Sequence, residues 1–230
     1  MLLRWWLGKE VPDKEQFLHP SIFTFFTSLY AFFLGFAIVT LWSAFLNAEF
    51  IAAREADALL SAHWLSKDLP KSEGFRQALA EYVKSVVEEE WPAMENFSMS
   101  PQTIRRLSRV WDQLRLIRAE IKGDNELYVA VAGHLSEASR QRLSRALLIN
   151  GNLYPPVWVI IVFGFLTVVY GLYFFHIRHS VVRVVFDFMV LFVVLSCIYF
   201  IYDINTPFSG YVVVKPDVFK QVYAIMLAAP

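Results

Sequence analysis

Two stretches of this chain, Gln16 to Ala48 and Ala146 to Ile177, contain no Asp, Glu, Lys or Arg, and a third apolar run, Phe188 to Tyr202, follows them. A helix needs roughly 20 apolar residues to cross the hydrocarbon core of a bilayer. The first two runs reach that length outright. The pattern therefore predicts an all-α integral membrane protein with three transmembrane helices plus an extramembrane helical domain. Most soluble enzyme classes are excluded at this point.

The hydrophobic content of 57% comes from these runs, because Asn47 to Tyr154 is an ordinary charged segment with 14 Lys+Arg and 15 Asp+Glu. Its charge is polarised: Glu49 to Ser100 holds 5 basic and 10 acidic residues, whereas Pro101 to Tyr154 holds 9 and 5. An acidic half beside a basic half predicts self-complementary packing. With no positive excess, no nucleic acid is expected as a partner. The single cysteine, Cys197, can build neither a disulfide framework nor a thiolate metal site within one chain. The start, Met1 to Trp6, lacks a long apolar segment and a small-residue cleavage site, so the first crossing is expected to act as an uncleaved anchor.

These features give an N-terminal tail over 1–20, a first crossing over 21–46, a helical domain over 47–154, crossings over 155–177 and 181–202, and a turn with an amphipathic C-terminal helix over 203–230. Ser21 is placed to cap the first crossing after His19-Pro20. The Ala-rich stretch to Ser66, with Ala53, Ala56, Leu60 and His63 at helical spacing, extends it as one rod, and Lys67 to Pro70 ends it.

In the domain, Phe75, Leu79, Val83, Val86 and Val87 mark a helix from Glu73 to Trp91, stopped by Pro92. Ser100-Pro101 starts another. Its apolar stripe is Ile104, Leu107, Trp111, Leu114 and Ile121, and its stop is Gly123-Asp124-Asn125. A fourth helix runs from Glu126 to about Ile149. Tyr154 to Trp158 reads as a membrane interface, His176 to Ser180 as a tight turn, and Tyr211 to Val214 as a β-like run. The last helix, from Pro216, presents Phe219, Val222, Tyr223 and Met226 to the membrane surface or to the domain.

Three crossings put the tail and the His176 turn on one side, and the domain and C-terminal segment on the other. Lys and Arg flank both sides in similar number. The short, electrically balanced tail is easier to export than a folded domain, so the domain is expected in the cytoplasm.

Arg183 and Asp187 share one face near the start of the third crossing. An acid there is a candidate for an ion pathway, or half of a structural pair that snorkels to the interface. Glu88-Glu89-Glu90-Trp91-Pro92 is the most distinctive string in the domain. Glu90 falls on the apolar stripe of Leu79, Val83 and Val86, so it needs a partner. The helix carrying Arg105 to Arg118 is the expected supplier, with cation binding as the alternative to packing. His63, His134, His176 and His179 show no metal-ligand spacing. No nucleophile motif or phosphate-binding glycine loop is present, and no metal or cofactor is expected.

Asp203-Ile204-Asn205-Thr206-Pro207-Phe208-Ser209-Gly210, read with Glu88 to Pro92, resembles a bacterial membrane family described as bestrophin-like. The resemblance extends over most of the chain, through Pro155-Pro156-Val157-Trp158 to Pro216, Asp217 and Phe219. Bestrophins are pentameric anion channels in which an Asn-Pro-Phe-Gly turn precedes an acidic calcium clasp, and Asn205, Pro207, Phe208 and Gly210 look like that turn. The resemblance implies a homo-oligomer in the lipid bilayer of a bacterial inner membrane that conducts ions. Two features depart from it. The family usually has four crossings, and here the tail Met1 to His19 stands in place of the first. The acidic run after the turn is replaced by apolar Tyr211 to Val214, so calcium gating is not implied. The competing reading is a non-catalytic accessory or scaffold subunit of a larger membrane complex, since only Thr24, Thr27, Ser28, Gly35 and Thr40 offer a small or polar stripe on the first crossing.

Overall fold

The computed structural model describes residues 13–121, 125–174 and 181–228. The turn at His176 to Ser180, Gly123-Asp124 of the expected helix stop, and the first part of the tail lie outside them. The elements are α1 (Asp13–Ser66), α2 (Glu73–Ser85), a π-helical turn (Val86–Glu90), α3 (Trp91–Glu95), α4 (Pro101–Glu120), α5 (Glu126–Leu147), α6 (Pro155–Phe174), α7 (Val181–Ile204) and α8 (Asp217–Ala228). Among the described residues all regular structure is helical, and three helices are long and apolar enough to cross a membrane.

The first helix begins at Asp13 rather than at Ser21, so Pro20 lies inside it. A proline there forfeits one backbone hydrogen bond without ending the helix. At 54 residues, α1 is about 80 Å long, well beyond one bilayer thickness.

The chain divides into two compact units. The membrane unit is residues 1–40 and 153–201. In it, glycines on α6 let α1 approach closely: a Cβ added at Gly164 would lie 2.2 Å from the Tyr30 ring, and one at Gly171 would lie 1.9 Å from the Phe23 ring. The two contacts are seven residues apart on each helix and run in opposite order, as antiparallel packing requires. The Tyr30 hydroxyl donates to the Ile161 carbonyl at 2.9 Å. The outer faces of α6 and α7 are apolar and exposed, including Phe163, Tyr173, Val181 and Phe188, which suits hydrocarbon and not water.

The second unit is residues 41–152 and 202–230. Ala48, Ala52, Ala56, Leu59 and Ala62 of α1 form a small-residue face in its core, with Phe75, Leu79 and Val83 of α2, Val110, Leu114 and Ile117 of α4, and Val131 and Leu135 of α5. Ser100 caps α4 by accepting the Thr103 N–H, and Asn125 caps α5 by accepting the Tyr128 N–H. The buried face of α4 is Thr103, Val110, Leu114 and Ile117, rotated from the expected stripe, which leaves Ile104 exposed. Phe219, Val222 and Met226 put α8 in this core. The expected β-like run at Tyr211 to Val214 forms no strand.

Candidate functional site

Pro92 does not stop the helix that begins at Glu73. It has no N–H to donate, and the backbone widens just ahead of it into the π-helical turn, where the Trp91 N–H reaches back to the Val86 carbonyl. Pro92 then occupies the first turn of α3. The extra residue in the wide turn brings Glu90 and Trp91 inward as consecutive side chains, both buried, while Glu88 and Pro92 stay exposed.

Glu90 faces Arg145 and Arg142 of α5. Its Oε1 accepts from Arg145 Nη2 at 2.8 Å, and its Oε2 accepts from Arg142 Nη2 at 2.5 Å. The expected partner helix, α4, pairs with Glu89 instead, through Arg106 at 2.8 Å. The one-residue step around the helix separates the two: Glu89 points along the α4 side and Glu90 points at α5.

Arg145 is fully buried between two carboxylates. Its Nε and Nη2 donate to Glu55 of α1 at 2.9 and 3.1 Å, and the Tyr82 hydroxyl of α2 donates to the same carboxylate at 3.1 Å. The guanidinium also lies 4.8 Å from the centroid of the Trp91 ring and 5.6 Å from that of Phe219, within cation–π range. Burial works against the charge of Arg145, but Glu55 and Glu90 outweigh it and hold the group protonated. Burial pushes the Glu55 carboxyl above the usual carboxylate range, against the pull of Arg145. Burial, reinforced by Glu55 and Glu90, also raises the Tyr82 phenol, which remains a donor.

The Asp203–Gly210 string folds against this cluster. The Asp203 carboxylate accepts the N–H groups of Tyr211 and Val212 at 2.8 and 2.9 Å, which gives Tyr211 to Val214 local partners in place of a sheet. Gly210 has φ of +127°, and a Cβ there would lie 2.5 Å from Asp203 Oδ1. The Pro207 carbonyl accepts from the Val214 N–H at 2.8 Å. Asn205 accepts from the backbone and side chain of Asn152. Phe208 is buried edge-on against Trp91, whose indole N–H donates to the Val214 carbonyl at 2.9 Å. The two strings singled out in the sequence thus meet at one indole.

Arg183 and Asp187 belong to the other unit. They form an i,i+4 pair at 3.6 Å, both partly exposed, and Arg183 also donates to the Leu172 carbonyl. Among the described residues no three His, Cys, Asp or Glu side chains converge as a metal site would need. Glu55 and Arg145 were not singled out from the sequence. The available signal was the one used for Glu90: each charge sits on an apolar stripe, Glu55 among Ala48, Ala52 and Leu59, and Arg145 in register with Val131, Leu135 and Ala138.

The model of the bestrophin-like domain matches residues 2–219. This chain belongs to the bestrophin-like family. No curated protein matches the sequence. Solved structures of a bacterial bestrophin homolog from Klebsiella pneumoniae share the fold of this bestrophin-like chain. A tyrosine-to-alanine variant of that homolog superposes with a TM-score of 0.74 at 13% identity, covering 99% of this chain and 91% of that one. The structure solved by Zn-SAD phasing gives 0.72 at 13% identity, covering 98% and 90%. With its three membrane-length helices, the bestrophin-like chain is a membrane protein.

Proposed function

We propose that this bestrophin-like protein is an ion channel, assembled from several copies in the bacterial cytoplasmic membrane with its helical domain on the cytoplasmic side. The observation that carries the reading is the outward face of α1 in the membrane unit. Thr24, Ser28, Ala31 and Gly35 recur there at intervals of three and four and are exposed, while Tyr30, Leu34 and Ala37 occupy the buried side. A small and hydroxyl-bearing face exposed on the chain's surface suits a passage shared between copies. Arg183 and Asp187 then act as a fixed-charge pair beside that passage. The role is transport, without catalysis.

Imaging the detergent-purified protein and measuring ion flux into liposomes test the reading together. A closed ring whose reconstitution carries flux supports it. Intact rings without flux would favour the scaffold subunit, and a single copy embedded in a larger complex would favour the accessory role.

A further inference from the structure

The buried charges of the domain carry an inference that does not depend on conduction. Glu55, Glu90, Arg142 and Arg145 are two acids and two bases, so the ionised cluster is neutral. Three of the side chains are sealed from solvent, and Arg142 alone has access, at 12% exposure. The groups come from four elements: Glu55 from α1, Tyr82 from α2, Glu90 from the π-helical turn, and Arg142 and Arg145 from α5. On α1 the next buried titratable side chain is His63, about two turns further along.

We propose that this cluster is a proton-operated latch, in which protonation of Glu55 drives Arg142 out to solvent and breaks one of the two tethers that hold Glu90 of the π-helical turn to α5. The reason is charge balance. A neutral Glu55 leaves two guanidiniums facing one carboxylate in a sealed volume, and an uncompensated buried charge is strongly unfavourable. Arg145 has no way out. It keeps Glu90 through Nη2, and its Nε and remaining hydrogens keep the Glu55 carbonyl oxygen and Met94 sulfur in reach. Arg142 holds the same Glu90 and borders water, so it is the group that leaves. Burial already disfavours the ionised form of Glu55. Departure of the Arg142 positive charge removes a further obstacle to protonating Glu55, so proton uptake and the departure of Arg142 favour one another: acid populates the open arrangement, and rising pH restores the closed one.

The test measures thermal unfolding and hydrogen exchange of the full chain in detergent micelles, at about pH 7.5 and about pH 5.5. Wild type is expected to gain exchange in residues 86–90 on acidification, whereas Glu55→Gln shows the faster exchange at both pH values. Arg142→Gln lowers the melting temperature by about 3 °C or more at the higher pH in the wild-type background, because it leaves two acids on one base. In the Glu55→Gln background the same change costs nothing. An equal cost of Arg142→Gln in both backgrounds, or the same acid-induced exchange in Glu55→Gln as in wild type, would overturn the latch. If Glu55→Gln does not fold, Arg142→Lys gives the second readout. It keeps the charge and must preserve the acid-induced exchange that Arg142→Gln abolishes, and identical behaviour of those two variants sinks the proposal.

Discussion

The indole of Trp91 stands edge-on to the ring of Phe208, with centroids 5.8 Å apart and planes at 89°. This contact joins the first residue of α3, directly after the π-helical turn, to a loop more than a hundred residues later in the chain. The guanidinium of Arg145 lies over the same indole ring, so the buried charges and the Asp203–Gly210 loop share one aromatic residue.

Replacing Trp91 with Phe keeps an aromatic ring there but removes the N–H donated to Val214. An unpaired buried carbonyl costs about 1–3 kcal/mol. Trp91→Ala also leaves a cavity and removes the cation–π contact, for about 3–5 kcal/mol. Denaturant unfolding of the purified protein should rank wild type, Phe and Ala in that order, and indistinguishable Phe and Ala variants would contradict it.

Glu90→Leu strips the counter-charge from Arg142 and half of that from Arg145. Breaking a buried pair in this way costs about 3–5 kcal/mol. Glu89→Gln touches a partly exposed pair with Arg106 and should cost less than about 1 kcal/mol. Melting temperatures in detergent decide, and equal values for the two variants count against the assignment of Glu90 to α5.

At Gly210 any side chain meets both an unfavourable φ and the Asp203 carboxylate. Strain of this kind costs about 1–3 kcal/mol before the contact is counted. Gly210→Val should reduce the yield of folded protein. Asp203→Asn should be milder, since one carbonyl oxygen still accepts one of the two N–H groups. Wild-type yield from Gly210→Val would refute the strain argument.

Asp187→Asn separates a fixed charge beside a conducting path from a purely structural pair. Removing the acid takes one negative charge from beside Arg183, and a fixed charge acts strongly on ions in a low-dielectric passage. Flux through reconstituted protein should change in rate or ion preference. Unchanged flux from an intact assembly would leave Asp187 a local partner of Arg183 only.

Much of this architecture was legible in the sequence because its causes are local. Bilayer thickness sets the length of an apolar run, so all three crossings could be read directly. Ser100-Pro101 announces the start of α4 because capping and the fixed φ of proline act within one turn. Pro92 misled for the same reason: its missing N–H implied a stop, and the widening of one turn ahead of it is chosen by what Glu90 and Trp91 gain on reaching the core.

Periodicity fixes which side of a helix turns inward, but not which neighbour it meets. The stripe through Leu79, Val83 and Val86 showed that Glu90 faces inward. Whether Arg106 or Arg142 and Arg145 receive it depends on how α4 and α5 are rotated about their axes, and one residue moves a side chain by about 100° around a helix. The burial of Glu55, the choice of Asp203 as acceptor for the Tyr211 and Val212 N–H groups, and the meeting of Phe208 with Trp91 depend on long-range packing. The sequence by itself determined how many helices form and which are apolar enough for the membrane. Only the tertiary structure decided which charges share a buried cluster, because a buried charge is stable solely beside the partner that packing brings to it.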